Sequence, residues 1–281
     1  MTIAVTGASG QLGRLALAAL QSRIPADRIV ALARDPAKLA DAGVAARAFD
    51  YDRPEALAPA LAGVETLVLI SSTEVDRRIA QHRAVIAAAR DADVSRILYT
   101  SLLHADTSPL SLAESHLAAE ADLRASGLGF TVLRNGWYNE NYLPSIPAAL
   151  DRGAFVGGSG DGRISAAARA DYAEAIAAVA TGDGHDGRTY ELAGDDAFTL
   201  TELAAELSRA TGRDIPYRNL PEPDYAAALA ANGLPEGFAR MIASWEGGIA
   251  GGALFDDGRQ LSGLIGRPTT PMAATIAAEA A

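Results

Sequence analysis

Thr2-Ile3-Ala4-Val5-Thr6-Gly7-Ala8-Ser9-Gly10-Gln11-Leu12-Gly13 runs a short β-branched stretch into a glycine-rich turn and then directly into the helical pattern of residues 11–21. A strand, a glycine turn and a helix in that order form a cradle for a dinucleotide. Glycines let the backbone turn tightly and approach a pyrophosphate, while the free amides and positive dipole end of the helix hold its charge. The spacing is Gly-x-x-Gly-x-x-Gly rather than Gly-x-Gly-x-x-Gly, and its position after the first strand is what makes it informative. Gly7, Ala8, Ser9, Gly10, Gln11, Leu12 and Gly13 are therefore the first cofactor-binding candidates.

The end of the second strand, residues 28–33, selects the nucleotide. A carboxylate there would accept hydrogen bonds from a ribose hydroxyl and favour NAD, but Arg34 occupies the place. A planar guanidinium binds phosphate oxygens through paired hydrogen bonds, and Lys38, one turn on, adds a second positive charge. The expected cofactor is NADP(H), the alternative being that both cations are solvated surface residues. Asp35 reads as the cap of a short helix that starts at Pro36.

Composition limits the class of protein. The 281 residues are 49% hydrophobic, enough to bury a large core with a smaller appended lobe. No apolar stretch is long enough to span a membrane, and the first strand begins too early for a signal peptide. The chain has no cysteine, which excludes disulfides, thiolate metal sites and a cysteine nucleophile, and no metal site is expected. A formal charge of -11 disfavours nucleic acid, and the pair Arg77-Arg78 reads as a solvated helix face. A cytoplasmic location is expected.

Strands at residues 44–49, 65–71, 96–100 and 130–133 alternate with helices near 54–61, 76–91 and 110–125. Apolar strands between amphipathic helices imply an α/β fold with a doubly wound parallel sheet, a Rossmann arrangement, over residues 1–141. Residues 142–281, with Gly- and Asp-rich turns at 157–162 and 182–187 and Ala-rich helices such as 200–211, form a smaller α/β lobe, with the chain crossing between the two. Ligands of such sheets lie beyond the C-terminal strand ends. Those ends are Asp50-Tyr51, Ser71-Ser72-Thr73, residues 100–104 and Asn135-Gly136-Trp137-Tyr138.

The glycine turn, Tyr99-Thr100-Ser101, His116 with Glu120, and the run Leu133-Arg134-Asn135-Gly136-Trp137-Tyr138-Asn139-Glu140-Asn141-Tyr142 resemble, over nearly the whole chain, the atypical short-chain dehydrogenases of the NmrA-like group. The resemblance implies NADP at the strand ends, hydride transfer from the nicotinamide and a pocket between the lobes, and leaves the substrate open; the enzymatic reading expected here is reduction of quinones or similar planar conjugated acceptors. One departure from ordinary short-chain dehydrogenases follows from counting. The single lysine, Lys38, has Arg34 four residues before it, so no Tyr-x-x-x-Lys pair exists. Alcohol dehydrogenation by that pair is excluded, whereas a quinone accepts hydride readily and its reduced anion is stable enough for water to protonate it.

His116 and Tyr138 are the catalytic candidates: His116 stands where the family often carries lysine, with Glu120 on the same helix face, and Tyr138 offers an aromatic wall and a hydroxyl. Asn135, Gly136, Trp137, Tyr138, Asn139, Glu140 and Asn141 are assigned to the nicotinamide or substrate, against the alternative that Trp137 and Tyr138 pack a lobe interface and Asn141 caps a helix. Asp50, Tyr51, Ser71, Ser72 and Thr73 are assigned to the cofactor. His104 is a weaker candidate, His82 an ordinary helix residue and Asp171 an N-cap. The expected partners are a small quinone-like molecule and a second copy of the chain as a homodimer, with neither nucleic acid nor membrane. A non-catalytic NADP(H)-binding redox sensor, or a reductase of triphenylmethane-type dyes, is the alternative function.

Overall fold

In β1 (Ile3–Val5) and β2 (Ile29–Ala33) every residue is buried, and successive side chains enter opposite cores. Ile3, Val5, Ile29, Ala31 and Ala33 pack on one face of the sheet, while Ala4, Val30 and Leu32 pack on the other. A strand covered on both faces has no solvated side to keep polar, hence its unbroken apolar character. The computed structural model describes residues 1–280.

The remaining strands are β3 (Ala45–Ala48), β4 (Thr66–Leu69), β5 (Arg96–Leu102), β6 (Gly129–Asn135), β7 (Phe155–Gly157), β8 (Thr189–Leu192) and β9 (Tyr217–Asn219). Seven of the nine form a sheet in the order β3-β2-β1-β4-β5-β6-β8, with every pairing parallel. The fold is the doubly wound Rossmann type. Helix α1 (Gln11–Gln21) covers one face; α2 (Pro54–Ala60), α3 (Arg78–Asp91) and α4 (Ala113–Ala125) cover the other. The chain leaves β1 toward β2 and β3, then returns to place β4 on the opposite side of β1. That reversal opens a crevice at the C-terminal strand ends.

The second half of the chain contributes α5 (Ile146–Arg152), α6 (Arg169–Thr181), α7 (Leu200–Thr211), α8 (Glu222–Ala231), α9 (Glu236–Ala250), α10 (Gln260–Ile265) and α11 (Met272–Ala280). Three of its elements join the first layer: β8 pairs with β6 in the main sheet, and Tyr172, Ala173 and Ile176 of α6 and Leu261 of α10 share the core of α1. The chain therefore returns to the first layer after residue 141, and the smaller lobe is built around Phe155, Ile164, Leu203, Leu207, Trp245 and Ile249, with the two-stranded β7-β9 sheet. Among the described residues no helix is long and apolar enough to cross a membrane, and no cluster of potential metal ligands occurs.

Several expectations change. Asp171 is no N-cap: Ala168 holds that position, and the buried Asp171 carboxylate accepts bonds from Arg267 Nη2 (2.7 Å) and the Thr270 amide (2.7 Å), tying down the chain before α11. Arg78 is not on a solvated face but buried, and so is His82. Glu120 pairs with Arg134 through two 2.9 Å hydrogen bonds rather than with His116.

Candidate active site

The glycine turn is shaped by backbone contact. Gly7 takes a positive φ of 58°, and a Cβ on Gly13 would lie 2.3 Å from the Gly7 carbonyl oxygen. The helix start thus sits directly against the turn, a packing only hydrogen at Cα permits. No side chain caps α1, which leaves its first-turn amides directed at the crevice. Ala8 is fully buried and its amide donates to the Leu32 carbonyl of β2 (3.1 Å), so it supports the turn.

A cavity of about 560 Å³ follows from this turn along the strand ends. Its lining includes Gly7, Ser9, Gly10, Gln11, Leu12, Gly13, Arg34, Asp50, Tyr51, Ser71, Ser72, Thr73, Tyr138 and Asn141, all candidates from the sequence. Thr6 Oγ1 and Thr100 Oγ1 accept the Ile70 and Ser71 amides at 2.9 Å each, which fixes the exit of β4 beside β1 and β5. Arg34 is largely exposed at the end of β2 and forms an ion pair with Glu74 at 3.3 Å. Asp35 caps the turn after it by accepting the Ala37 amide (3.1 Å).

Lys38 does not line the cavity, and its carbonyl oxygen accepts from Arg14. The run at 135–141 divides by what each side chain touches. Tyr138 and Asn141 face the cavity; Arg169 lies 4.6 Å over the Tyr138 ring and donates to Asn141 Oδ1 (3.3 Å). Trp137 instead packs edge-on against Trp245 at 5.9 Å in the smaller lobe. Gly136 lies in the β6–β8 seam, donating to the Leu192 carbonyl at 2.7 Å. Asn139 is buried against the C-terminal segment, donating to Thr270 O and Thr275 Oγ1 at 3.0 Å each. Glu140 accepts the Arg169 amide (2.9 Å) at the start of α6, and Asn135 is buried with Nδ2 3.4 Å from the Tyr138 hydroxyl.

His116 lies behind the cavity wall. Its Nε2 is 3.1 Å from Arg78 Nη1 and its Nδ1 is 2.8 Å from the Tyr99 hydroxyl. A guanidinium only donates, so Nε2 is the acceptor and Nδ1 carries the proton. Burial, reinforced by the Arg78 charge, holds the His116 pKa well below its ordinary value. His116 is therefore a neutral imidazole that orients Arg78, and it does not touch the cavity. His104 is also elsewhere: it sits at a φ of 51° with Nε2 3.3 Å from Asp256 Oδ2.

Sequence reasoning missed Arg78, Gln81, His82, Glu74 and Arg169. Arg78 Nε donates to the Ser72 carbonyl (2.7 Å) and Nη1 also to Ser115 Oγ (3.1 Å). Gln81 Nε2 donates to Asp52 Oδ1 (3.0 Å), which leaves its buried Oε1 without a partner among the described residues. His82 Nε2 accepts the Ser72 amide (3.0 Å), and burial, then the Arg78 charge, lower its pKa to about 3. The signal was present in the helical period. Arg78, Gln81, His82, Val85, Ile86 and Ala89 form one face, and its apolar end predicts burial of the polar end.

Comparison with known proteins agrees with this architecture: the model of a family described as NAD(P)H-binding matches residues 7–183. The chain belongs to the NAD(P)H-binding family. It is 54% identical to quinone oxidoreductase 2 of Escherichia coli over 277 residues, 98% of this chain and 97% of that protein. The crystal structure of that NADPH-dependent enzyme complexed with NADPH superposes with a TM-score of 0.96, covering 99% of both chains. Triphenylmethane reductase of Citrobacter sp., complexed with NADP(H), is 36% identical with a TM-score of 0.95 over the whole of both chains. An NmrA-like family domain-containing oxidoreductase of Aspergillus flavus is 30% identical over 296 residues, 96% of this chain and 92% of that one. The resemblance to NmrA-like proteins seen in the sequence thus extends across this NAD(P)H-binding chain.

Proposed function

We propose that the protein is an NADPH-dependent oxidoreductase that delivers hydride to quinones or similar planar conjugated acceptors. The observation carrying this reading is the crevice at the β1–β4 reversal, where an uncapped helix start meets Arg34 in the place a carboxylate would hold for NAD. Two features fit a dinucleotide independently: the Gly13 position admits no side chain, and the buried Gln81 Oε1 is an acceptor in search of a donor. The quinone oxidoreductase named above supports both cofactor and acceptor class.

In this assignment Gly7, Ser9, Gly10, Gln11, Leu12 and Gly13 hold the pyrophosphate, and Arg34 holds the 2′-phosphate. Asp50, Tyr51 and Gln81 face the adenine half, while Ser71, Ser72, Thr73, Tyr138 and Asn141 face the nicotinamide half and the acceptor. NADPH, when bound, supplies the hydride. Tyr138 provides a flat wall for a planar acceptor, held edge-on against Tyr172 at 5.1 Å and covered by Arg169. Its phenol is pushed up by burial and stays protonated, so it can donate a hydrogen bond.

The test is NADPH consumption, followed by nicotinamide absorbance, with benzoquinones and naphthoquinones, and NADH in parallel. Turnover preferring NADPH is expected. Tight NADPH binding with no turnover on any quinone would withdraw the reading in favour of a redox sensor, and turnover confined to triphenylmethane dyes would reassign the acceptor.

A further inference from the structure

Arg78 is a buried cation with no counter-ion. Its residue is 6% exposed, and its three acceptors, Ser72 O, Ser115 Oγ and His116 Nε2, are all neutral. The other two arginines lining the cavity each have a carboxylate: Arg34 has Glu74 at 3.3 Å and Arg169 has Glu140 at 4.0 Å. An unpaired charge taken out of water is costly, and proteins carry one where a ligand completes it. Nε and Nη1 are committed, while Nη2 has no partner among the described residues and the residue lines the cavity.

Its place in the fold narrows the ligand. A doubly wound sheet divides into two mononucleotide-binding halves about the strand reversal, β1–β3 and β4–β6. Arg78 spans the second: it bonds Ser72, which follows β4, and Ser115 and His116, on the helix that follows β5. The anionic groups of the dinucleotide already have the glycine turn and Arg34. Charge arises in the second half only when the acceptor is reduced.

We propose that Arg78 stabilises the oxyanion that forms on the acceptor as hydride arrives, a role that rests on the quinone-reductase reading above. The C4–H bond of the nicotinamide breaks, the hydride bonds one carbonyl oxygen of the quinone, the ring π pairs close into an aromatic sextet, and the π pair of the opposite carbonyl stays on its oxygen as the hydroquinone monoanion. NADPH is oxidised to NADP⁺, and the oxyanion takes its proton from water. Arg78 donates hydrogen bonds from Nη2 and gives up no proton, so the reaction proceeds without the Tyr-x-x-x-Lys pair that this chain lacks. Ser115 and His116 are positioning residues. His116 Nδ1–H donates a hydrogen bond to the Tyr99 hydroxyl oxygen, which keeps Nε2 free to accept from Arg78.

The experiment compares wild type with Arg78→Gln, Arg78→Lys and Arg78→Ala on a series of benzoquinones whose hydroquinones differ in acidity. NADPH affinity is titrated by nicotinamide fluorescence and folding checked by thermal melting. Arg78→Gln should lose about 100-fold in kcat while its NADPH Kd stays within about twofold of wild type. The loss should be greatest for acceptors with the most basic hydroquinones, and free guanidinium should restore part of the Arg78→Ala activity. A merely structural arginine would produce neither the acceptor trend nor the rescue. Arg78→Lys, which keeps the charge, decides the matter if the other variants misfold: activity below a tenth of wild type on the most acidic and most basic hydroquinones alike overturns the proposal. Wild-type kcat in Arg78→Gln also overturns it, as does lost NADPH affinity at unchanged kcat. A wild-type protein that reduces no quinone removes the functional reading and this inference together.

Discussion

Replacing Arg34 with alanine tests cofactor selection, because the structure sets both what the guanidinium gains and what it gives up. The side chain stands at the end of β2 with 72% of its surface exposed, and its present partner is Glu74 at 3.3 Å. A charge-assisted hydrogen bond to phosphate contributes about 1.5–3 kcal/mol, and the exposed ion pair surrendered to form it about 0–1 kcal/mol. The surplus is about 0.5–3 kcal/mol, so Arg34→Ala should weaken NADPH binding between about 2- and 140-fold at about 1.4 kcal/mol per tenfold. NADH, which lacks the 2′-phosphate, should bind as before. Glu74→Gln removes the competitor and should tighten NADPH by up to about fivefold, more at low than at high ionic strength. Calorimetric titration of both cofactors against the two variants measures all four constants. An equal loss of NADPH and NADH in Arg34→Ala, or weaker NADPH binding in Glu74→Gln, would refute the argument.

Two further outcomes are expected. Gly13→Ala puts a methyl 2.3 Å from Gly7 O and 2.7 Å from Ala8 Cα, so turn and helix must part; melting should show a loss of about 1–3 kcal/mol and titration at least a tenfold loss of NADPH affinity. A variant that binds NADPH normally would count against the cradle. His82, lowered from 6.5 to about 3, binds fewer protons folded than unfolded between those values, so its stabilising neutral form is fully present above pH 6.5 and stability falls as pH drops through that window. At pH 5 the cost is about 2 kcal/mol, from 1.36 kcal/mol per unit over about 1.5 units. The stability gap between wild type and His82→Gln should therefore narrow from pH 7 to pH 5, and parallel profiles would sink the assignment.

Much of the first layer was legible because two independent periods agree with it. The strands are apolar along their length since both faces are covered, and the turn after β1 passes straight into α1, whose range of 11–21 the apolar spacing predicts. The smaller lobe was less legible. Its strands are three residues long, too short for alternation to register, and β8 pairs with β6 across more than 50 residues of intervening chain. In the run at 135–141, neighbouring residues leave a strand and enter a one-turn helix, so adjacent side chains diverge. Tyr138 and Asn141 reach the cavity while Trp137 and Asn139 anchor other layers, and no residue-type argument separates them.

Helix α3 shows where composition and periodicity conflict and which should prevail. Composition makes Arg77-Arg78 a solvated pair, since arginine is rarely fully buried without a partner. Periodicity extends the Val85, Ile86 and Ala89 face back through His82 and Gln81 to Arg78, leaving only Arg77 outside, where it meets Asp52 at 2.6 Å. A polar continuation of an apolar stripe at one end of a helix is costly unless something occupies it. Here that end lies beside the β4 exit, where the sheet opens to its ligand. The conflict itself thus marks the site: a residue whose period demands burial and whose charge forbids it belongs where a ligand supplies the missing partner.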